Sequence, residues 1–155
     1  MTQAPAPAET ELIVRDLQPS DETAWRKLWR GYLDFYGATV ADDVTDLTWA
    51  RIQDPNEPVF ALGAEQDGVV LGFATCVLHR STWARQHYCY LEDLYVDEET
   101  RGLGVGRALI EAVYARADDL GAERVYWVTQ ETNATARVLY DAVAKRTGFV
   151  QYRRV

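Results

Sequence analysis

The run Arg101-Gly102-Leu103-Gly104-Val105-Gly106-Arg107 sets three glycines at alternate positions between two arginines. Backbone bared in this way can close its N–H groups around an anion. The stretch before it, Tyr90-Leu91-Glu92-Asp93-Leu94-Tyr95-Val96, is apolar and aromatic and reads as a buried strand. After it, Leu109, Val113, Ala117 and Leu120 recur at helical spacing. The glycines therefore sit where a strand turns into a helix. The helix N-terminus adds partial positive charge, and Arg101 and Arg107 add whole charges. The chemistry described is a diphosphate cradle. Gly106 is followed by Arg107-Ala108 rather than by Lys-Ser/Thr, so the nucleotide P-loop pattern is not met. The dinucleotide pattern also differs, in glycine spacing and in the next strand, which ends at Thr129-Gln130 rather than at an acid. A glycine-rich helix cap without a ligand would use the same residues.

Three further residues have types suited to proton transfer or amine binding. Glu92 is a carboxylate among Leu91, Leu94 and Val96, and such a group needs a partner or a task. Strand alternation puts it on the face of Leu94 and Val96 unless a bulge intervenes, and burial would raise its pKa toward that of a useful base. The alternative is a partner for a structural arginine. Asp93 is expected to point the other way, as a structural residue. Asn133 and Tyr140 are seven residues apart, about two helical turns, so they share a face roughly 10 Å apart. Leu139 and Val143 can then face the core.

The elements that must position these residues follow from pattern. A strand is expected over 11–17. Ser20 is read as the N-cap of a helix that carries Asp21 and Glu22 in its first turn and ends at Gly37. A second helix spans about 43–53 and stops at Asp54-Pro55. Strands over 59–65 and 69–79 flank the Asp67-Gly68 hairpin turn, and a loop over 81–86 carries Trp83. The strand over 88–96, the glycine turn, a helix to Leu120 capped by Gly121 and a strand over 125–129 form a right-handed βαβ unit with parallel strands. A helix over 133–145 and a strand over 148–153 complete the order β-α-α-β-β-β-α-β-α-β. This is an α+β (α/β) chain with a mixed, mostly antiparallel sheet. Residues 1–9, rich in Ala and Pro, read as a disordered tail, and residues 10–155 as one domain.

Composition narrows the function classes. The formal charge is −8, which speaks against a nucleic-acid partner and is compatible with a cationic substrate as well as with simple solubility. No apolar run approaches the ~20 residues of a membrane span, and the N-terminus lacks signal-peptide character. Cys76 and Cys89 lie in apolar strand patterns and read as buried thiols. His79 and His87 have no metal-site spacing. No metal, no membrane and a cytoplasmic location are the expectations.

Arg-x-x-Gly-x-Gly after Leu-Glu-Asp-Leu-Tyr-Val and before an amphipathic helix resembles the coenzyme A motif of the GNAT superfamily of N-acetyltransferases. The resemblance continues through Val125-Tyr126-Trp127, Asn133 and Leu139-Tyr140 to Gly148-Phe149, about the last two thirds of the chain. Within the superfamily the chain is most similar to the histone-and-polyamine acetyltransferases, including the spermidine/spermine enzymes. The resemblance implies a GNAT-like fold with acetyl-CoA as co-substrate. Leu94, Tyr95 and Val96 would pair with the pantetheine arm. Arg101, Gly102, Leu103, Gly104, Val105, Gly106 and Arg107 would hold the pyrophosphate, and Asn133 would bond the arm. Tyr140 would protonate the leaving thiolate, and Glu92 would be the base or amine anchor. The first helix flanks the acceptor cleft in this family, so Trp29 and Tyr32, with Trp83, Trp127 and Glu131, are candidates to bind an ammonium group, although a helical aromatic stripe is also the usual mark of a core.

At neutral pH only about one alkyl amine in 10³ is unprotonated, so the acceptor needs help worth about 4 kcal/mol. The expected acceptor is a primary amine: a small cation, a polyamine or a lysine side chain. Amino acids and protein tails are alternatives, as is a regulatory domain that binds coenzyme A without transferring acetyl. The segment from Asp141 to Thr147 is longer than the family's usual spacing, and the strand after it is expected to need a partner subunit, hence a homodimer.

Overall fold

The computed structural model describes residues 11–155, so the tail expected over 1–9 lies outside the described residues. The strands are β1 (Ile13–Asp16), β2 (Val59–Gln66), β3 (Val69–His79), β4 (His87–Val96) and β5 (Ala122–Tyr126). The helices are α1 (Glu22–Tyr36), α2 (Asp42–Gln53), α3 (Val105–Asp119) and α4 (Ala134–Val143). The strands form one sheet in sequence order, antiparallel from β1 to β4, with β5 parallel to β4. Among the described residues no helix is long and apolar enough to cross a membrane.

Two packed layers cover the sheet. On one face the α3 residues Val105, Leu109, Ile110, Val113 and Ala117 bury against Leu62, Ala74, Cys76, Cys89 and Leu91. On the other, Trp25, Leu28 and Trp29 of α1 and Trp49 of α2 bury against Ala61, Val70 and Phe73. Trp25 is fully buried, with ring centroids 5.4 Å from Trp29 and 5.1 Å from Trp49. The aromatic stripe of α1 is thus mainly core, for the same reason that most helical stripes are.

Local chemistry sets the boundaries. Asp67 and Gly68 both take positive φ, 54° and 75°, as a two-residue hairpin needs to match strand twist. Gly37 ends α1 at φ 61°. The entry to α1 differs from expectation. Ser20 lies within a single 3₁₀ turn (Pro19–Asp21), and Asp21 takes the N-cap position of α1; its carboxylate makes no bond to the helix and instead accepts from the Gln18 N–H at 2.6 Å, closing the 3₁₀ turn. Asp21 also accepts from Arg15 at 2.7 Å, and Arg15 reaches Glu65 at 2.6 Å, tying the start of α1 to β1 and β2. The Arg15 guanidinium holds the Asp21 carboxyl below its ordinary pKa.

Two further differences lie at the C-terminal end. β5 stops at Tyr126, not Thr129, because its last partner on β4 is Tyr90 and nothing among the described residues pairs with the chain beyond. The expected last strand over 148–153 is irregular. A strand exists only through its ladder, none reaches this segment among the described residues, and Phe149 and Tyr152 are almost fully exposed.

Gly72 lies where β3 meets the end of β4, and a Cβ there would come within 2.7 Å of the Tyr95 carbonyl oxygen and 3.3 Å of Val96 Cα. Gly72→Ala must move backbone, and an overpacking cost of about 1–3 kcal/mol is expected. Thermal denaturation followed by circular dichroism should show a midpoint several degrees lower; an unchanged midpoint would show that β3 and β4 can part without cost.

Candidate active site

β4 and β5 pair only through His87↔Ala122, Cys89↔Val125 and Tyr90↔Tyr126. β4 then runs on to Val96 with β3 on one side and, among the described residues, no strand on the other. The sheet splits like a fork, and the unpaired edge of 91–96 forms one prong. An edge of this kind offers alternate N–H and C=O groups to any extended polar chain laid beside it. Leu94 and Val96 face the cluster that holds Leu139, Tyr140 and Trp127. Tyr95 faces the α1 layer, its ring 6.2 Å from Tyr32.

The glycine turn follows directly. Gly102 and Gly104 take φ 88° and 77°, and a Cβ on either would stand in open space. The requirement there is conformational, and it leaves a bare concave backbone. Gly104 starts α3, and the Ala108 N–H returns to its carbonyl at 3.0 Å. The N–H groups of Val105, Gly106 and Arg107 belong to the first turn, which has no intrahelical acceptors for them. Gly106 is close-packed: a Cβ would meet Leu139 of α4 at 3.3 Å. The two arginines are otherwise engaged. Arg101 donates to the Val96 carbonyl at 3.3 Å, its guanidinium 5.3 Å from the Phe35 ring centroid and 5.6 Å from that of Tyr95. Arg107 pairs with Glu111 at 3.1 Å. The cradle is therefore made of backbone and helix dipole first. Its bare turn and the free β4 edge fit a diphosphate carrying an amide-containing arm, as coenzyme A does.

Asn133 and Tyr140 close the other side. Asn133 precedes α4, and its Nδ2 donates to Thr129 Oγ1 at 3.2 Å. Tyr140 packs edge-on to Trp127 with centroids 5.5 Å apart. Burial, with the nearby Tyr36 adding to it, pushes the Tyr140 phenol up to about 12, so it keeps its proton at neutral pH. Tyr114 donates to the Val143 carbonyl at 2.8 Å and ties α4 to α3.

The acidic pair departs from the expected alternation. Thr75 pairs with Asp93, but the next residue, Cys76, pairs with Leu91, which leaves Glu92 as the extra residue of a β-bulge. Glu92 is exposed and Asp93 is buried, the reverse of the simple period-two reading. Burial raises the Asp93 carboxyl from 3.8 to about 6; the Tyr32 and Thr75 hydroxyls beside it oppose that rise, and the Glu92 charge adds to it. Asp93, Tyr36 and Thr129 are thus site neighbours that the sequence did not single out as functional. The one signal for Thr129 was its position four residues before Asn133.

The remaining acceptor-side candidates are not brought together. Trp29 is core, donating from Nε1 to Thr45 at 3.1 Å. Trp83 is 85% exposed on the β3–β4 loop. Trp127 belongs to the α3–α4 layer. Glu131 is exposed and pairs with Arg146 at 3.3 Å. Only Tyr32 lies against the acids: burial raises its phenol, followed by the effect of Asp93. Among the described residues no group of three or more His, Cys, Asp or Glu is placed to hold a metal ion.

Comparison with known proteins agrees with this geometry. Residues 23–145 match the acetyltransferase (GNAT) family. The chain is 41% identical over 145 residues to the D-amino-acid N-acetyltransferase HPA3 of Saccharomyces cerevisiae, covering 92% of this chain and 90% of that one. It is 34% identical to the thialysine N-epsilon-acetyltransferase of Bos taurus, covering 88% of this chain and 70% of the other. Its fold superposes on the aminoglycoside N-acetyltransferase AAC(6')-Iy solved in complex with CoA, with a TM-score of 0.82, 21% identity and coverage of 97% and 98%. From the family match and the identity to relatives along most of its length, this chain belongs to the GNAT family of acetyltransferases.

Proposed function

We propose that this protein transfers the acetyl group of acetyl-CoA to a primary amine, and that the fork between β4 and β5 is where transfer occurs. The observation that carries the reading is the free edge of 91–96 running straight into a bare glycine turn at the start of α3. Acetyl-CoA supplies the activated thioester. Leu94, Tyr95 and Val96 offer backbone to its arm, and the 101–107 turn receives its pyrophosphate. Asn133 orients the arm from the opposite prong. Tyr140 holds a proton at Oη for the departing thiolate, and stays protonated at neutral pH until the thiolate forms. Glu92, exposed at the mouth, receives the ammonium, takes its proton and can release it to solvent. The ammonium's first proton leaves through Glu92; the second, shed by nitrogen as the tetrahedral intermediate collapses, replaces the one Tyr140 gives to the thiolate.

The acceptor belongs to the class of small amines with a second polar group. D-amino acids and thialysine are named as acceptors of the two relatives, and both carry a primary amine of this kind. The Tyr32–Tyr36 pair and the two acids favour a small ammonium over a long peptide. A homodimer is part of the same reading, on the ground that Phe149, Val150 and Tyr152 are exposed. The free thiols Cys76 and Cys89 fit a reducing compartment such as the cytoplasm.

The direct test is thiol release from acetyl-CoA against D- and L-amino acids, lysine analogues, polyamines, aminoglycosides and a basic peptide. Selective release with an amino-acid-like amine is expected. Tight acetyl-CoA binding without release across the panel would favour the regulatory alternative.

Two variants separate the roles. Gly104→Glu places a side chain at φ 77° and a negative charge in the cradle, so acetyl-CoA affinity should fall at least a hundredfold by calorimetry. Unchanged affinity would place the pyrophosphate elsewhere. Tyr140→Phe should lower kcat by about 10² with little change in acetyl-CoA Kd. Equal losses in both would make Tyr140 a binding residue.

A further inference from the structure

The β4 bulge sets two successive acids beside the α1 tyrosines, and only the exposed one has a role so far. Asp93 is the less exposed, at 8%. Thr75, opposite it in the ladder, is buried at 3%, and its Oγ1 has no hydrogen-bond partner besides the adjoining carboxyl. Tyr32 approaches from α1. Its ring is held edge-on by Phe73 at 6.1 Å, Tyr36 at 5.2 Å and Tyr95 at 6.2 Å, so the position of its Oη is fixed by packing. Tyr36 continues the line: its hydroxyl lies beside Thr129, the residue that also accepts from Asn133, and near Tyr140. A row of polar groups therefore crosses the mouth of the fork from β4 to α4, with Asp93 at its buried end.

We propose that Asp93 is a positioning residue for the acceptor amine. It takes the Tyr32 hydroxyl proton into a hydrogen bond, which turns the phenol lone pairs toward the fork and makes Tyr32 Oη an acceptor for one N–H of the ammonium. Glu92 accepts another. The ammonium is thereby gripped from two sides; once Glu92 has taken its proton, the amine turns about its C–N bond with one N–H still on Tyr32 Oη and its lone pair toward the thioester. This rests on the acetyl-transfer reading and adds to it the group that sets amine geometry. An apolar or amide residue at Asp93 would let the Tyr32 hydroxyl rotate or donate into the fork, where it would repel an ammonium.

A buried carboxylate is costly to keep. The folded pKa of about 6 lies above the ordinary 3.8, so the stability this group confers rises as pH falls through 6 and is lower above it. The groups acting on it or acted on by it are Tyr32 and Tyr36 from α1, Cys76 and Thr75 from β3, and Tyr90 and Glu92 from β4. None is a cation, so nothing in this set offsets the charge. A residue that only filled space would be better neutral.

The experiment is steady-state kinetics of wild type, Asp93→Asn, Tyr32→Phe and the double variant from pH 5 to 9 with the best amine of the panel, beside acetyl-CoA Kd. Each single variant should raise the acceptor KM at least tenfold and leave the acetyl-CoA Kd within twofold. The acid limb of kcat/KM near pH 6 should be lost in Asp93→Asn. The double variant should be no worse than the poorer single one. Asp93→Asn should melt several degrees higher than wild type at pH 8, which separates lost positioning from lost folding; should it fail to fold, Tyr32→Phe alone decides. Wild-type acceptor KM in Tyr32→Phe, or additive losses in the double variant, would overturn the proposal. Wild type that releases no thiol with any amine would overturn the acetyl-transfer reading, and this inference with it.

Discussion

The constraint on which the rest depends is the early parting of two parallel strands. Backbone N–H and C=O groups within a protein require partners. β4 runs six residues past its last pairing with β5, and one edge of those residues has no strand partner among the described residues. Everything around the fork keeps it open. Gly121, at φ 73°, turns the chain out of α3 directly into β5, which ends after five residues. α3 packs against both β4 and β5 and holds the prongs at their base. α4 is fastened to α3 through Tyr114 and to the glycine turn through Leu139 and Gly106, so the second prong is a helix face and not another strand. A ladder continued to Val96 would have satisfied the same backbone and erased the site.

The second organising feature is the one-residue bulge at Glu92. It breaks the alternation of β4 so that the strand can carry Leu91 and Leu94 into one layer and still place two acids near the other. An uninterrupted strand would bury one acid against α3 and present the other to α1. The bulge gives one carboxylate to solvent and one to the protein interior, and burial raises the pKa of the interior one, Asp93. Bulges next to functional sites re-aim side chains in this way.

Much of the fold was legible because the signals were local. Asp67-Gly68, Gly37 and Gly121 each answer to a positive-φ requirement that the sequence states outright. The strand–glycine–helix unit was legible for the same reason. Less was legible where the deciding contact was distant. The bulge depends on how β3 lies against β4, so the burial of Glu92 and Asp93 was inverted. The end of β5 depends on where β4 leaves it. Arg101 is drawn onto Phe35 and Tyr95, two rings that only the fold brings to it. Ser20 lost the N-cap position to Asp21, whose carboxylate is drawn to Gln18 and Arg15 rather than to the helix. Trp29, Trp83 and Trp127 share a residue type but not a place.

The central claim is that the free edge of β4 and the glycine turn are where coenzyme A binds. Amide hydrogen exchange with and without acetyl-CoA tests it most directly. Slowed exchange confined mainly to peptides spanning 91–96 and 102–107, with α2 and the β2–β3 hairpin unchanged, is the result this account requires. Unchanged exchange across both segments at saturating acetyl-CoA, or protection centred elsewhere, would contradict it.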